Sequence, residues 1–462
     1  MGSDPNSSRI EGPLPRGPHG LSVEQVADNQ RARLIEAMVL LAGERGFAAT
    51  PVADLIARAQ VSRKTFYAHF ANREDLLLAA FDSCATANLD RARSASSDSN
   101  ANGNSDTQTG LERMIDHLCG AHDERPGTIA ICNVEIAAAN GNGLKLRNDL
   151  MRSYGSMIQA SLEADGEAMS GDFAQTLAGA LYRTIDMRLG REKGVSADEL
   201  SHELTRWAHA YRPFPSSLDT TGDSTPSPRP WPWLGGSGLV GGRAPGTLTL
   251  APKGYLSRRG YVPSTLEQHT NRERMLDALT ELNAEEGYLA LTAEAIAARA
   301  GLPLGVFRAQ FDGKDDAFVA ALELGHMRGR AIVERARSNA SNWAEGARAA
   351  TYALLEFLAS EPQFTKLALL DAPLAGSDIA RRARENIAAY AHTLFEGVSW
   401  RRALPKITPA ACVNGLLESA YPDTSQGRLS REAVILSTFF VLAPFIGVAN
   451  AAEMSASSVA HG

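Results

Sequence analysis

The sequence predicts an all-α protein made of two tandem units, each an N-terminal helix-turn-helix domain followed by a helical bundle. Three observations predict it. First, Arg31 to Asp82 aligns without a gap onto Arg272 to Glu323 at a constant offset of 241. Gly46–Phe47 faces Gly287–Tyr288, and Phe66, Phe70 and Asp75 face Phe307, Phe311 and Asp316. Second, the duplication resumes at an offset of 236: Pro126 faces Pro362, Glu135 faces Asp371, Tyr154 faces Tyr390 and Gly179 faces Gly415. Third, apolar residues recur at helical rather than alternating spacing, and β-branched clusters are nearly absent. A chain of 462 residues also exceeds one ordinary core.

The elements of the first block follow in order. Leu34, Ile35, Met38, Leu41 and Ala42 form an i, i+3, i+4, i+7 stripe, so Arg31–Arg45 is predicted to be a helix with one buried face. Thr50 followed by Pro51 predicts the start of a second helix, with Thr50 as N-cap and Val52, Leu55, Ile56 and Ala59 turned inward. Ser62 predicts the cap of a third, very short helix, anchored by Phe66 and Phe70. That leaves Arg63, Lys64, Thr65, Tyr67 and His69 off the anchor face. Asn72 with Asp75 three residues later predicts the start of a fourth helix.

The third helix differs between the copies. Copy one reads Val61-Ser62-Arg63-Lys64-Thr65-Phe66-Tyr67-Ala68-His69-Phe70; copy two reads Leu302-Pro303-Leu304-Gly305-Val306-Phe307-Arg308-Ala309-Gln310-Phe311. The aromatic anchors survive, and most hydrogen-bond donors do not. Arg308, Gln310 and Lys314 remain as donors, and Gly305 weakens a short helix by about 1 kcal/mol relative to Ala. Charge follows the same division. Residues 30–73 hold seven Lys/Arg and three Asp/Glu, a balance of +4; residues 271–314 hold five and seven, a balance of −2. Phosphate-dominated affinity needs the first balance.

The first block, with Arg73-Glu74-Asp75-Leu76-Leu77 after its third helix, resembles the TetR family of bacterial transcriptional repressors. The resemblance implies that the short helix enters the major groove. Ser62, Arg63, Lys64, Thr65 and His69 would lie at or beside the reading surface, with Tyr67 and Arg73 on phosphates. It also implies that the following helices bind an effector and pair as a four-helix bundle. Those helices are expected at Asp172–Leu189 with Ala197–Ala210, and at Pro409–Tyr421 with Arg431–Ala449. The two copies could pair within one chain as a pseudo-dimer, or like could pair with like in a homodimer. The second block matches the skeleton but departs at its reading helix. It reads as scaffold, as a divergent reader through Arg308, Gln310 and Lys314, or as a protein-binding adaptor.

Between these blocks, the expected division is an arm over 1–26, a first DNA-binding domain over 27–80, and a first bundle over 81–212. A linker follows over 213–265, then a second helix-turn-helix over 266–321 and a second bundle over 322–455. The linker is dense in Pro, Gly and Ser and carries Trp231 and Trp233, which could dock it onto a helical domain. The run 94–110 has nothing to bury and predicts a disordered loop holding the five extra residues (241 − 236) of copy one. Basic arms hold Arg9 and Arg16, and Arg258 and Arg259.

Other classes find little support. No Walker, Rossmann, zincin or nucleophile-elbow pattern occurs, so no enzyme and no cofactor is expected. Cys84, Cys119, Cys132 and Cys412 lack paired spacing, and His117 and His122 are five residues apart, off one helical face; no metal is expected, and free thiols suit a cytoplasmic protein. The apolar stretch Ala433–Ala451 is interrupted by Ser437, Thr438, Pro444 and Gly447, and reads as a bundle helix rather than a membrane span. Expected partners are double-stranded operator DNA and a small hydrophobic or amphipathic effector. Glu135, Arg183 and Asp371, polar residues within apolar helical stretches, are the candidate effector contacts.

Overall fold

A computed structural model describes residues 22–97, 109–139, 142–189, 194–216, 218, 266–400 and 403–457, and every regular element among them is helical. Copy one comprises α1 (Val23–Arg45), α2 (Val52–Ala59), α3 (Arg63–His69), α4 (Arg73–Ser97), α5 (Gly110–Glu124), α6 (Pro126–Asn133), a 3₁₀ turn (Glu135–Ala138), α7 (Asn142–Ala164), α8 (Gly171–Leu189) and α9 (Ala197–His209). Copy two comprises α10 (Leu266–Glu286), a 3₁₀ turn (Tyr288–Ala290), α11 (Ala293–Arg299), α12 (Leu304–Gln310), α13 (Lys314–Ser338), α14 (Trp343–Ser360) and α15 (Pro362–Lys366). A π-helical turn (Leu367–Asp371) then leads into α16 (Ala372–Leu374), α17 (Ser377–Phe395), α18 (Thr408–Thr424), α19 (Arg431–Ile446) and α20 (Val448–Ser457). The arginines of both basic arms, Trp231 and Trp233 lie outside the described residues, as does most of the run 94–110.

Local caps explain most boundaries. The first helix begins earlier than its apolar stripe because Ser22 and Gln25 form a reciprocal capping box. Ser62 caps α3 by accepting from the Thr65 amide at 3.0 Å, and Asn72 accepts from the Asp75 amide at 2.8 Å. Thr50 does not cap α2. Its hydroxyl donates to the Gly46 carbonyl at 2.8 Å, and Pro51 takes the cap position without a side-chain bond. Gly46 closes α1 at φ +83°, and Gly287 occupies the matching place at φ +80°.

Each head is held together by cation–aromatic pins at repeated positions. Arg73 lies 4.6 Å from the Phe47 ring centre and donates to the Thr50 carbonyl at 2.8 Å; Lys314 lies 4.6 Å from the Tyr288 ring and donates to its carbonyl at 3.2 Å. Likewise Arg31 covers Phe70 at 5.4 Å, and the fully buried Arg272 covers Phe311 at 4.3 Å. Arg33 and Arg274 tie their first helices to the ends of α2 and α11, through the carbonyls of Ala59 and Ala300.

The two copies pair within the chain, and the four expected bundle helices meet at that seam. There α8 crosses α18 with Gly179 directly under Glu418; a Cβ at 179 would come within 2.4 Å of the Glu418 side chain. Gly415, its repeat partner, is likewise covered by the Phe440 ring. Arg147 from α7 makes a bidentate pair with Glu418 at 2.7 and 2.9 Å. Asn414 donates to Thr184 at 2.9 Å, and Tyr211 donates to the Phe440 carbonyl at 2.9 Å. Phe173 stacks on Phe440 at 4.8 Å. The apolar stretch of α19 is thus packed from Ala433 to Phe445 inside this bundle, and among the described residues no helix is long and apolar enough to cross a membrane.

Burial alone would push the Glu418 carboxyl up, but Arg147 and then Arg183 overcome it and hold the group below the usual carboxylate range. Removing it leaves the buried Arg147 guanidinium without its counter-charge and takes from Arg183 its nearest carboxylate. Glu418→Ala is therefore expected to cost roughly 3–5 kcal/mol of stability. Denaturant melts check this; a loss under about 1 kcal/mol would contradict the buried-pair reading of the seam.

Candidate functional site

In copy one the reading helix presents its donors to solvent. Arg63, Lys64 and Tyr67 are exposed, and Arg63 lies 5.8 Å from the Tyr67 ring centre. Among the described residues neither Arg63 nor Lys64 has a hydrogen-bond or ion-pair partner. Thr65 is half-buried, with its hydroxyl 2.8 Å from that of Ser62, so both hydroxyls are engaged in the cap. His69 is half-buried and faces Gln30 at 3.5 Å. The Phe66 and Phe70 anchors are buried as the spacing predicts. The Nη1 of Arg73 donates to the Phe47 and Thr50 carbonyls and its guanidinium lies over the Phe47 ring, so it pins the head as well as standing half-exposed at its surface.

In copy two every lysine and arginine of residues 271–314 is taken up by the protein. Arg272 is buried, and Arg274 caps the end of α11. Arg299 pairs with Glu281 and Glu285, Arg308 with Glu294 at 3.4 Å, and Lys314 pins Tyr288. Gln310, expected as a donor, is only 2% exposed and sits inside the head, because it follows the buried Phe307 onto the anchor face of α12. Lys314, the repeat partner of Arg73, likewise lies over an aromatic ring of its own head and is half-exposed. The surface of α12 offers Gly305, Arg308 and Ala309 to solvent, with Leu304 and Val306 leaning on the core. The sequence showed the lost donors; the internal pairing of those that remain depended on acids such as Glu294 that the repeat alone does not flag.

Two candidate effector contacts prove to be latches between bundle and head. Glu135 is 2% exposed and accepts from the Phe47 amide at 2.8 Å, in the turn after α1. Its repeat partner Asp371 accepts from the Asn283 side chain at 2.8 Å near the end of α10, while Lys366 donates to the Asn283 and Ala284 carbonyls at 3.0 Å. Both carboxylates face their own heads and are satisfied there, because an isolated buried charge would be costly.

The third contact, Arg183, lines a cavity of about 70 Å³ at the seam. The walls come from repeat-related positions on both sides: Asn133 and Leu369, Val134 and Leu370, Ala137 and Pro373, Leu144 and Ala380, Arg147 and Ala383, Asn148 and Arg384. The cavity therefore lies across the pseudo-twofold relation between copies. Its polar side is Asn133, Arg147, Arg183 and Asp186 of copy one with Glu418 of copy two; its apolar side is mostly copy two. Arg183 is half-buried, with a buried Nε that has no hydrogen-bond partner and an ion-pair distance of 3.8 Å to Glu418. Burial lowers its pKa more than Glu418 raises it, whereas Arg147, which holds Glu418 bidentately, is raised against its own burial. Glu418 thus gives both oxygens to Arg147, while Arg183 feels Glu418 and Asp186 only through longer-range attraction and has no carboxylate in hydrogen-bond contact among the described residues.

Among the described residues no group of three or more His, Cys, Asp or Glu side chains is placed to hold a metal, and all four cysteines are free and buried.

These two heads and their bundles define a tandem helix-turn-helix regulator. The family described as bacterial regulatory proteins, tetR family, matches the chain twice, over residues 34–80 and 275–321, segments offset by the same 241 as the repeat. The chain belongs to this family as a tandem member, and its activity is DNA-binding transcriptional regulation. Solved structures similar to it include the fatty acid degradation regulator FadR from Bacillus halodurans, at 16% identity and TM-score 0.33, covering 38% of this chain and 92% of that one. A FadR from Bacillus subtilis in complex with stearoyl-CoA has 17% identity and TM-score 0.32, covering 37% of this chain and 94% of that one. A TetR family transcription regulator from Marinobacter aquaeolei has 19% identity and TM-score 0.31, covering 40% and 95%. No curated protein matches the sequence.

Two predictions follow from the pins and latches. Arg73→Ala should cost about 1–3 kcal/mol of stability, through two lost hydrogen bonds from a charged donor. It should leave the salt dependence of DNA binding unchanged. Denaturant melts and binding at several salt concentrations check this, and a log–log slope lowered by about 1 at unchanged stability would restore the phosphate role.

Burial pushes the Asp371 carboxyl up to about 6, with Lys366 and Asn283 pulling the other way. An acid whose folded pKa lies above its unfolded value costs stability as it ionises, so the fold loses stability between about pH 4 and about pH 6. Asp371→Asn should therefore raise Tm relative to the wild type more at about pH 7 than at about pH 4.5. An equal shift at both values would contradict the assignment.

Proposed function

We propose that this protein is a sequence-specific transcriptional repressor in which the first head reads the operator, the second serves mainly as scaffold, and a small amphipathic effector releases the complex. The observation that carries the asymmetry is the fate of the cations. Arg63 and Lys64 stand on the exposed surface of α3 with no hydrogen-bond or ion-pair partner among the described residues, whereas copy two has Leu304 and Gly305 in their places and the one cation of α12, Arg308, is paired at the surface with Glu294. A short helix of this kind enters the major groove with its N-terminal residues toward base edges. Arg63 and Lys64 can donate to guanine edges or phosphates, Tyr67 to a phosphate, and Thr65 can meet a thymine methyl. Ser62 holds the helix start in place, and His69 lies at its far end.

Intrachain pairing supports one chain acting as a pseudo-dimer on an asymmetric site, because a palindrome mirrors two-fold symmetry and these two heads are unlike. Release would be geometric. Reading helices engage successive grooves only about 34–36 Å apart, so even a second head reduced to weak backbone contact ties operator affinity to the spacing of the heads. A ligand that binds better to another spacing lowers operator affinity by its differential affinity for the two states.

The test is selection of bound DNA followed by footprinting of wild type and variants. Arg63→Ala with Lys64→Ala should abolish specific binding and lower the salt slope by about 2, at about 1 per lost cation. Arg308→Ala should cost little and leave the footprint intact. Equal losses from the two, or a perfect inverted repeat protected by two chains, would sink the reading.

A further inference from the structure

We propose that the cavity between the two copies is the effector site, that it takes one carboxylate-bearing amphiphile per chain with its head on Arg183, and that both heads feel its occupancy directly. This rests on the effector reading above and gives it a place, a ligand class and a stoichiometry.

The place follows from the repeat. Because the walls come from repeat-related positions of the two copies, the cavity is shared between them and occurs once per chain. In a true homodimer such a site would have matching walls. Here they have diverged: Arg147 faces Ala383, Asn133 faces Leu369, and Leu144 faces Ala380. Asn148 with Arg384 runs the other way, so polar groups stand on both walls, while the larger share of the aliphatic lining comes from copy two; one molecule meets both kinds of surface, as an amphiphile requires.

Ligand charge follows from the guanidiniums. Arg183 has a buried Nε with no partner, and it shares Glu418 only at 3.8 Å, while Arg147 takes both carboxylate oxygens at 2.7 and 2.9 Å. The cavity lining as a whole holds three arginines, Arg147, Arg183 and Arg384, against Glu418 and Asp186, a balance of +1. An incoming carboxylate supplies the missing acceptor. Space sets the head size: about 70 Å³ holds a carboxylate and a few carbons, at roughly 10–15 Å³ for each water-sized group.

Coupling follows from chain order. In copy one, cavity residues Asn133 and Val134 are followed at once by Glu135, the latch on the Phe47 amide. In copy two, cavity residues Leu369 and Leu370 are followed at once by Asp371, the latch on Asn283. The second of these segments is the π-helical turn Leu367–Asp371, a local geometry that recurs at functional sites. A ligand that spreads the walls moves both latches, because each wall and its latch are consecutive residues.

The test uses the full chain and a matched series: butyrate and hexanoate, butanol and hexanol, and butylammonium. Calorimetric titration should show hexanoate binding at one molecule per chain, at least tenfold tighter than hexanol, with butylammonium silent. Arg183→Gln should weaken hexanoate at least tenfold, and Ala380→Phe, which fills the cavity from the other copy, should do the same. Both variants are first shown to melt cooperatively, and either one suffices should the other fail to fold. Binding of hexanoate undiminished in a folded variant, two molecules per chain, or no preference for the acid would overturn the site. Operator affinity, measured with and without hexanoate, separates the two levels of the account. Arg183-dependent binding that leaves operator affinity unchanged keeps the site and removes its effector role. Operator release by hexanoate that persists in Arg183→Gln keeps an effector response and removes this site.

Discussion

The arrangement of the whole chain depends on one crossing, α8 over α18, where Gly179 lets Glu418 lie flat and reach Arg147 from the other copy. A side chain at 179 would collide with that carboxylate, and without the carboxylate the buried Arg147 guanidinium would have no ion-pair partner and Arg183 would lose its nearest one. Around this contact Phe173, Tyr211 and Phe440 close the apolar part of the bundle. Hydrophobic packing holds the seam together; the ion pair and the Asn414–Thr184 bond fix its register, since a slipped pairing would leave each of them unsatisfied. Duplication within one chain removes the need for symmetry at this surface. Copy one can carry the arginines and copy two the carboxylate, a division that a homodimer would have to make with the same residues on both sides.

From the seam, structure runs outward to the heads by short covalent steps. The residues that wall the central cavity are contiguous with the carboxylates that grip the turn of each head. A movement of the cavity walls would thus reach both heads without any long relay. The pins inside each head, Arg73 on Phe47 and Lys314 on Tyr288, keep the heads themselves rigid, so such a movement would displace them as units. What the heads then present to DNA differs. One keeps exposed cations, without a hydrogen-bond or ion-pair partner among the described residues, on its reading helix; the other has lost those two positions to Leu304 and Gly305 and pairs Arg299 and Arg308 with Glu281, Glu285 and Glu294 at the surface.

Most of this organisation was legible in the sequence because duplication supplies an internal comparison. Constant offsets located both heads, the bundle helices and the facing pairs Glu135 with Asp371 and Gly179 with Gly415. Aromatic anchors at i, i+4 gave the buried face of the reading helix. Roles that depend on a distant partner were not legible. Arg73 reads as a surface cation until Phe47 and the Thr50 carbonyl are seen beside it. Gln310 reads as a donor, but lies on the same side of α12 as its anchors. Glu135 and Asp371 read as ligand contacts because they are acids among apolar residues, yet their partners lie 88 residues back in each copy. Arg147 and Glu418, separated by 271 residues, carry no local signal at all.

The most direct test of the central claim, that the two copies pair within one chain, is a distance measurement between the heads. All four native cysteines are buried, so Glu44→Cys and Glu285→Cys, at exposed repeat-related positions, accept nitroxide labels selectively. Pulsed electron resonance on the doubly labelled chain should give one narrow head-to-head distance. That distance should keep its full amplitude when the labelled chain is diluted into an excess of unlabelled protein and re-equilibrated. Loss of the signal on dilution would mean that the heads are brought together by different chains, and would contradict the account.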